Sequence, residues 1–434
     1  MTTITELAEV LQELLGKTAD EVGRSSGFIK RERKLSGSNY AQTLVFGWMS
    51  NPASTMSELA QTAASVGVSI SKQGLDERFS AKSAGFMEAL LRRGVGQMIQ
   101  GEAMRCGVMA NFKAVHVQDS TSISLPTDLR EVWAGCNKTG TGSAGLKVSV
   151  DWELVSGCLS GIQLSAAKDH DQKSSVAQVE VAADSLQIRD LGYFNLKHFA
   201  RQVETGSYFL SRLKASTRLY RLDGQGLDWV NLLLNCPNEQ VDIPVLLGAQ
   251  HLACRLLAWR VPDPVASQRR THLQEIADDQ CRPVSSKRWQ TAHWSVYITN
   301  APGHLLSLAQ AQVLGKIRWQ IEILFKLWKS DGLLDEWRTT DPWRILTECF
   351  AKLLALLIQH WCYLLGLWQM PERSLHQAAL LLRKHALLLA TALSNFAYLT
   401  HALSIIRTAL ASCKMTASRN RPHAFQLILR GSLA

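Results

Sequence analysis

The sequence lacks several patterns that would place the protein in a specialised class. Its nine cysteines are odd in number and scattered, and no two have the C-x-x-C spacing of common zinc and redox sites. Such cysteines are typical of reduced thiols in a cytosolic protein. The amino-terminal residues do not form a basic segment followed by an apolar one, so we expect no signal segment.

Long uninterrupted apolar runs are also missing. The most apolar stretches, near the carboxyl end, are broken by polar and charged residues at 352, 359–360 and 383–385. We therefore expect no membrane span and no membrane partner. There is no internal repeat and no low-complexity tract.

The composition instead predicts a folded protein with several domains. Of its 434 residues, 46% are hydrophobic, and a chain of this length holds about two to four domains of ordinary size. The formal net charge is +10 at pH 7. An excess of this size favours a polyanionic partner, although many plain soluble proteins carry it too.

Residues 1–110 are predicted to be helical. Within them, residues 57–75 have the outline of a helix-turn-helix with its turn at Gly67. An ordinary helical hairpin has the same outline, and the basic cluster at residues 30–34 is either a phosphate contact or a solvated turn. The second helix would offer polar side chains to a DNA major groove, namely Lys72, Gln73 and Arg78.

Residues 111–204 change from a helical to a β pattern. Alternation over residues 113–119 predicts a strand that ends at Asp119, and after further strands and a helix a second acid, Asp190, precedes a Gly-Tyr-Phe turn. A meander followed by α/β units is the order of an RNase H-like core. Open α/β folds place their chemistry at such strand ends, whereas either acid alone is more often a turn or cap residue.

The remaining chain divides into three regions. Residues 205–304 return to strand character, and the separation between Asp190 and Glu322 is long for one compact core, so we expect a β-rich insertion there. Residues 305–365 would complete the core with the helix that carries Glu322. Residues 366–434 are predicted to be helical with a basic tail.

Residues 316–329 carry an acid between cations. A single helix would place Arg318, Glu322 and Lys329 on one stripe, because offsets of four and seven residues return to nearly the same angle. A carboxylate flanked by cations suits metal binding beside phosphate oxygens, which favours DNA cleavage. The alternative is a solvated charge stripe on an amphipathic helix. The opposite face would be docked by apolar residues, namely Trp319, Ile321, Leu324 and Leu327.

The spacing Arg-x3-Glu-x6-Lys resembles the Tyr-x2-Arg-x3-Glu-x6-Lys signature of the insertion-sequence-four family of DDE transposases, with Gly315 in place of the tyrosine. In that family the first acid ends the first strand, the second precedes a turn like Gly-Tyr-Phe, and the third lies in this helix. Asp119, Asp190 and Glu322 occupy these three places. The resemblance covers roughly residues 110–365.

The resemblance implies a cut-and-paste transposase that binds terminal inverted repeats, hydrolyses the 3′ ends and joins them to target DNA. It implies that Asp119, Asp190 and Glu322 hold two Mg²⁺ ions, with Mn²⁺ able to substitute. The partner would be double-stranded DNA, both transposon ends and target, and two copies of the chain would form a homodimer when the ends are synapsed. Such a protein would act in the bacterial cytoplasm, on the nucleoid.

The resemblance also implies roles for side chains that contact DNA. Arg318, Lys326 and Lys329 would bind phosphates of the transposon end. Trp294 resembles the tryptophan that receives a flipped base when family members close a DNA hairpin, although a tryptophan that opens a strand is more often in the core. Gly315 removes one phosphate-contacting hydroxyl, which bears on hairpin formation more than on metal binding. Two other functions stay open, a decayed relative that binds DNA without turnover and a metal-dependent nuclease on the same core.

Overall fold

The computed structural model describes residues 1–31, 35–136, 142–279, 281–370 and 372–414. Two cations of the predicted basic cluster, Arg33 and Lys34, and two of the basic tail, Arg419 and Arg421, lie outside these residues. The chain folds into two compact units. Unit 1 contains Met1–Arg105, Asp119–Asp169 and the described chain from Trp319 onward, and unit 2 contains Cys106–Gln118 and His170–Arg318.

Helices occur along the whole described chain. They are α1 (Ile4–Gln12), α2 (Ala19–Ser25), α3 (Gly37–Ser50), α4 (Met56–Ser65), α5 (Lys72–Asp76), α6 (Ala81–Val95), α7 (Ser175–Gln178), α8 (Leu196–Glu204), α9 (Trp229–Leu234), α10 (Asp263–Asp279), α11 (Ser286–Gln290), α12 (Leu308–Ile317), α13 (Trp319–Ser330), α14 (Pro342–Gly366), α15 (Leu375–Ala392) and α16 (Phe396–Leu410). A π-helical segment, Glu13–Thr18, joins α1 to α2.

Strands lie in the middle of the chain. They are β1 (Val115–Leu125), β2 (Ala144–Glu153), β3 (Leu159–Ala166), β4 (Leu186–Arg189), β5 (Tyr208–Arg212), β6 (Leu219–Tyr220), β7 (Gly226–Leu227), β8 (Gln240–Leu247), β9 (Leu252–Arg260) and β10 (Trp294–Thr299). β1 passes from unit 2 into unit 1 at Asp119.

The core of unit 1 is built around α14, which Asp341 caps and Pro342 starts. α3, α6 and α16 pack against α14, and α15 packs against α3. The amino-terminal and carboxyl-terminal helices therefore share one core, although the sequence placed them in separate regions. In this unit the strand order is β3-β2-β1, with β2 and β3 antiparallel.

In the described chain α14 is the helix that is long and apolar enough to cross a membrane. However, 89% of its most apolar window is buried inside the protein, as in the core helix of a folded domain. One polar residue that interrupts it is Lys352, which pairs with Glu348 at 2.7 Å and donates to the backbone oxygens of Leu333 and Glu336. These partners allow a charged side chain to stay in the core.

Unit 2 contains a mixed sheet whose order, starting from the first half of β1, is β1-β4-β5-β10-β9-β8-β6-β7. β1, β4 and β5 run parallel, and the neighbours beyond β5 are antiparallel. A core of Phe199, Phe209, Leu256 and Ile298, each fully buried, fills this unit. Helices and a mixed sheet make the protein an α/β protein.

Candidate active site

Asp190 follows directly on β4. All four residues of β4 are buried, and a 3-10 turn, Leu191–Tyr193, comes next, so the Asp190 side chain is left 38% exposed at the strand end. The parallel register places Gln118 of β1 opposite Arg189 of β4. Asp119 and Asp190 each follow one member of this pair of opposite residues, so they occupy corresponding positions in the two chain segments.

Arg318 lies between α12 and α13. Its guanidinium Nε is 3.8 Å from Oδ1 of Asp190, and its side chain is 13% exposed. The single helix predicted over residues 316–329 is therefore interrupted. The backbone of Arg318 keeps helical angles. Its N–H donates to the Leu314 oxygen with a long N···O distance of 3.4 Å, so the hydrogen bond that joins the two helices is weak.

The strand that carries Asp119 does not end there as predicted: β1 continues to Leu125, so Asp119 lies within the strand, where it is half-buried. Its Oδ1 accepts a hydrogen bond from the Ser120 backbone N–H at 2.8 Å. Further along β1, the Ser122 backbone oxygen accepts a hydrogen bond from Lys329 Nζ at 2.8 Å, and the same ammonium is 3.8 Å from Asp335. Lys329 thus ties α13 to the strand that carries Asp119, a role the sequence did not indicate.

Glu322 is exposed in the first turns of α13, and Lys326 is exposed one turn later. Ile321 and Leu324 are buried, as expected for the docking face. Trp319 differs from the expectation, because at the start of α13 its side chain is 60% exposed. The helix period itself accounts for this exposure, because offsets of two and five residues turn Trp319 away from Ile321 and Leu324.

A divalent metal such as Mg²⁺ needs several oxygen donors that lie close together. Among the described residues, no group of three or more acidic, histidine or cysteine side chains is placed to hold a metal ion. Asp190 belongs to unit 2, whereas Asp119 and Glu322 belong to unit 1. All three are at least partly exposed carboxylates, the hard oxygen donors that Mg²⁺ prefers. Their donor chemistry fits the metal, and their convergence stays a prediction.

Trp294 starts β10 and is 5% exposed. It packs in the core of unit 2, with the Arg260 guanidinium 5.0 Å from its ring centre. A base can stack only on an accessible ring face. The burial of Trp294 therefore favours the core alternative over the base-receiving role.

The predicted helix-turn-helix outline is present. α4 carries a capping box made by Thr55 and Glu58, Gly67 turns the chain with φ +84°, and Ser71 caps α5 through the Gly74 N–H. α5 is only five residues long and ends at Asp76, so Arg78 follows the second helix and does not lie on it as predicted. DNA binding by this segment stays a prediction, but the side chains it would use are exposed, namely Lys72, Gln73 and Arg78.

Gly315, in α12, packs against Tyr297. A Cβ at this position would lie 2.9 Å from the Tyr297 hydroxyl oxygen and 3.1 Å from Cζ. Tyr297 is itself held, because it stacks on Trp259 at 5.0 Å and its hydroxyl lies 3.5 Å from Arg212 Nε. Tyr297 thus fills the space that a side chain at 315 would need. The linear sequence contains no signal of this contact.

Comparisons with known proteins show which family the chain is similar to. Residues 111–358 match the family described as a transposase DDE domain. The chain is 29% identical over 369 residues to the transposase for insertion sequence element IS231F of Bacillus thuringiensis subsp. israelensis, covering 78% of this chain and 76% of that protein. It is 24% identical over 362 residues to the transposase for insertion sequence element IS1151 of Clostridium perfringens, with the same coverage of both chains.

A solved piggyBac transposase, from a synaptic complex with hairpin DNA, is similar at a TM-score of 0.48 and 7% identity, covering 96% of this chain and 86% of that one. The family match is the stronger finding, since it spans more than half of the chain and includes Asp119, Asp190 and Glu322. The protein therefore belongs to the transposase DDE domain family and is a DNA transposase of the insertion-sequence-four type.

Proposed function

We propose that the protein carries out cut-and-paste transposition, in which it binds the terminal inverted repeats of its element, hydrolyses the 3′ ends and joins them to target DNA. The observation that carries this proposal is the register of β1 and β4, which pairs Gln118 with Arg189. Asp119, within β1, and Asp190, just after β4, follow these residues, so the two carboxylates occupy matching positions on neighbouring parallel segments. Adjacent carboxylates are what a metal-dependent phosphoryl transfer needs.

The tie between Lys329 and Ser122 supports Glu322 as the third carboxylate. From this hydrogen bond, Asp119 is three residues back along β1, about 10 Å at the rise of a strand. Glu322 is seven residues back along α13, about 10 Å at the rise of a helix, and two turns return it to the face of Lys329. The strand orders β3-β2-β1 and β1-β4-β5 support an RNase H-like core as the scaffold.

In this proposal Asp119, Asp190 and Glu322 hold two divalent ions, Mg²⁺ or Mn²⁺. When bound, the ions would stabilise the attacking and the leaving oxygen of the transfer. Arg318 orients the Asp190 carboxylate and opposes its charge, and Lys326, exposed on α13, binds a backbone phosphate.

The test uses full-length protein and DNA that carries the element's own ends. The Asp119→Asn, Asp190→Asn and Glu322→Gln variants should each lose end cleavage in Mg²⁺ and Mn²⁺ but still bind the ends, because the Lys and Arg contacts to phosphate remain. Glu204→Gln, which changes an exposed acid of α8, is the matched control. Normal cleavage by any of the three variants would remove that residue from the site.

Two outcomes of the same assay favour the other functions. Cleavage of DNA that has no terminal repeats, without strand transfer, would indicate a nuclease. Wild-type protein that binds the ends but cleaves in neither metal would indicate a decayed relative.

The proposal includes two copies of the chain, since joining both ends of one element requires that they be held together. Sedimentation of the protein with and without end DNA tests this point. A dimer should form on the DNA.

We also propose that the protein acts on the bacterial nucleoid in the cytoplasm.

A further inference from the structure

A group of cations separate from Arg318 and the lysines of α13 lies in unit 2, beside the end of β4. They line a cleft of about 230 Å³, to which Arg189, Lys197 and Arg201 contribute, and none of the lining residues is acidic. Asp171 lies close by, with its carboxylate 2.9 Å from the place of a Cβ on Gly192, but it does not line the cleft. The cleft is therefore a concave surface with an excess of positive charge.

The cations are placed by β4 and α8. Arg189, the last residue of β4, is 2% exposed and donates to the Ala177 backbone oxygen at 2.7 Å. Asn195 caps α8 by accepting from the N–H groups of Lys197 and His198. Lys197 and Arg201 are four residues apart on this helix, so they project from one face, and both are exposed.

His198 lines the cleft and is uncharged at neutral pH. Its Nε2 donates to Gln187 Oε1 at 3.0 Å, since that oxygen also accepts from Gln202. Burial lowers the pKa of His198 to about 3, and the charges of Arg189 and Arg201 act in the same direction. The ring is neutral at pH 7, so the positive charge in the cleft comes from the arginines and the lysine.

We propose that this cleft binds a backbone phosphate of the DNA strand that is cut, next to the scissile phosphate. The inference rests on the proposed function. Arg189 and Tyr193 line the cleft and flank Asp190 in the chain, so a strand whose reacting phosphate lies at Asp190 passes close to it. Exposed Lys197 and Arg201 suit a phosphate that arrives with the DNA, because their N–H groups match its oxygens.

The main experiment measures DNA binding by full-length protein over a range of salt concentrations. Lys197→Gln, Arg201→Gln and the double variant are compared with Arg221→Gln, which removes an exposed cation between β6 and β7 of the same unit. Loss of one phosphate contact should lower the logarithmic salt slope by about 0.9. We expect this loss in the double variant, with about tenfold weaker binding at low salt and an unchanged melting temperature. A slope and affinity equal to those of Arg221→Gln would overturn the proposal.

A scan with methylphosphonates locates the contact. Replacing single phosphates within about three nucleotides of the cut by an uncharged methylphosphonate should weaken wild-type binding at one position and leave the double variant unaffected there. If no position depends on Lys197 and Arg201, the proposal is wrong.

Inorganic phosphate offers the same oxygens without DNA, so its binding is measured by calorimetry. Binding of orthophosphate that depends on Lys197 and Arg201, together with an unchanged DNA salt slope, would assign the cleft to a free anion and overturn the proposal. Failure of the proposed function looks different. Normal cleavage by Asp190→Asn would remove Asp190 from the active site and with it the premise of this inference, whereas an unchanged slope beside normal wild-type cleavage would defeat only the cleft.

Discussion

Arg318 places its guanidinium Nε 3.8 Å from Oδ1 of Asp190, a residue far away in the sequence. The arginine is mostly buried and the aspartate is more than one-third exposed, so the cation is the better fixed member of the pair. A planar guanidinium with five donors can hold a carboxylate and still present N–H groups to a phosphate. The pair gives Arg318 a positioning role in addition to the phosphate role predicted from the sequence.

The first prediction concerns Arg318→Lys, which keeps the charge but loses the planar fork. We expect end cleavage to fall at least about tenfold, equivalent to about 1.4 kcal/mol, while the melting temperature stays close to that of the wild type. Arg221→Lys, an exposed substitution in the same unit, should change neither quantity. A loss of cleavage that unfolding of the variant fully explains would contradict the positioning role.

The second prediction separates two lysines of α13. Lys329 binds the Ser122 oxygen, so Lys329→Ala should destabilise the protein by about 1 kcal/mol, given that the side chain is one-third exposed. Lys326 is exposed, so Lys326→Ala should lower the salt slope of DNA binding by about 0.9 and leave stability unchanged. Urea unfolding and DNA binding are measured on both. A lowered salt slope for Lys329→Ala would show that Lys329 binds a phosphate, as the sequence predicts.

The third prediction concerns two helical glycines. A Cβ on Gly315 would meet Tyr297 at 2.9 Å, whereas one on Gly85 in α6 would meet nothing within 4 Å. Gly85→Ala should stabilise the protein by about 1 kcal/mol through helix propensity. Gly315→Ala should gain less near the end of α12 and incur about 1–3 kcal/mol of overpacking, so we expect net destabilisation. Equal stabilisation by both substitutions in urea unfolding would show that Tyr297 moves away freely.

The fourth prediction concerns His360 and pH. Burial lowers the pKa of His360 to about 4, and its Nε2 donates to the Gly157 oxygen at 2.7 Å. Between pH 6.5 and 4 the unfolded chain binds a proton that the folded protein excludes, so the free energy of unfolding should fall as the pH is lowered, by up to about 1.4 kcal/mol per pH unit.

His360→Gln should remove the share of this slope that His360 contributes, whatever the intrinsic cost of the substitution, and leave the share of buried His198. His272→Gln, at a side chain that is 70% exposed, serves as the control and should retain the whole slope. Denaturant unfolding at pH 7, 6 and 5 gives the comparison. Identical slopes for wild type and His360→Gln would mean that folding does not lower the pKa of His360.

The fifth prediction concerns the helix-turn-helix segment and must be tested in the full chain, because α3 and α6 pack against α14. A fragment ending near residue 110 would lose that core. The double variant Lys72→Gln, Arg78→Gln loses two phosphate contacts, so the logarithmic salt slope of end binding should fall by about 1.8. The melting temperature should stay unchanged. End binding equal to that of the wild type would move recognition elsewhere on the protein.

Local patterns explain what could be predicted. The turn at Gly67 and the caps around it follow from residues within a few positions of one another, and the burial of Ile321 and Leu324 follows from the helix period. The same period turns Trp319 away from that face, and its side chain is exposed. The burial of Trp294 could not be predicted in this way. Trp294 starts a strand in the core, and the sequence around it does not show which elements will cover it.

The sequence by itself determined the class of the protein, because the spacing of an arginine, a glutamate and a lysine and the contexts of two aspartates are linear properties. It also determined the alternation of helical and β regions, which follows from the periods of the apolar residues. The tertiary structure decided which distant residues meet: Arg318 with Asp190, Lys329 with Ser122, and Tyr297 with Gly315. These contacts depend on strand register and helix docking, which sum many weak packing energies over the whole fold and leave no signature in any short segment.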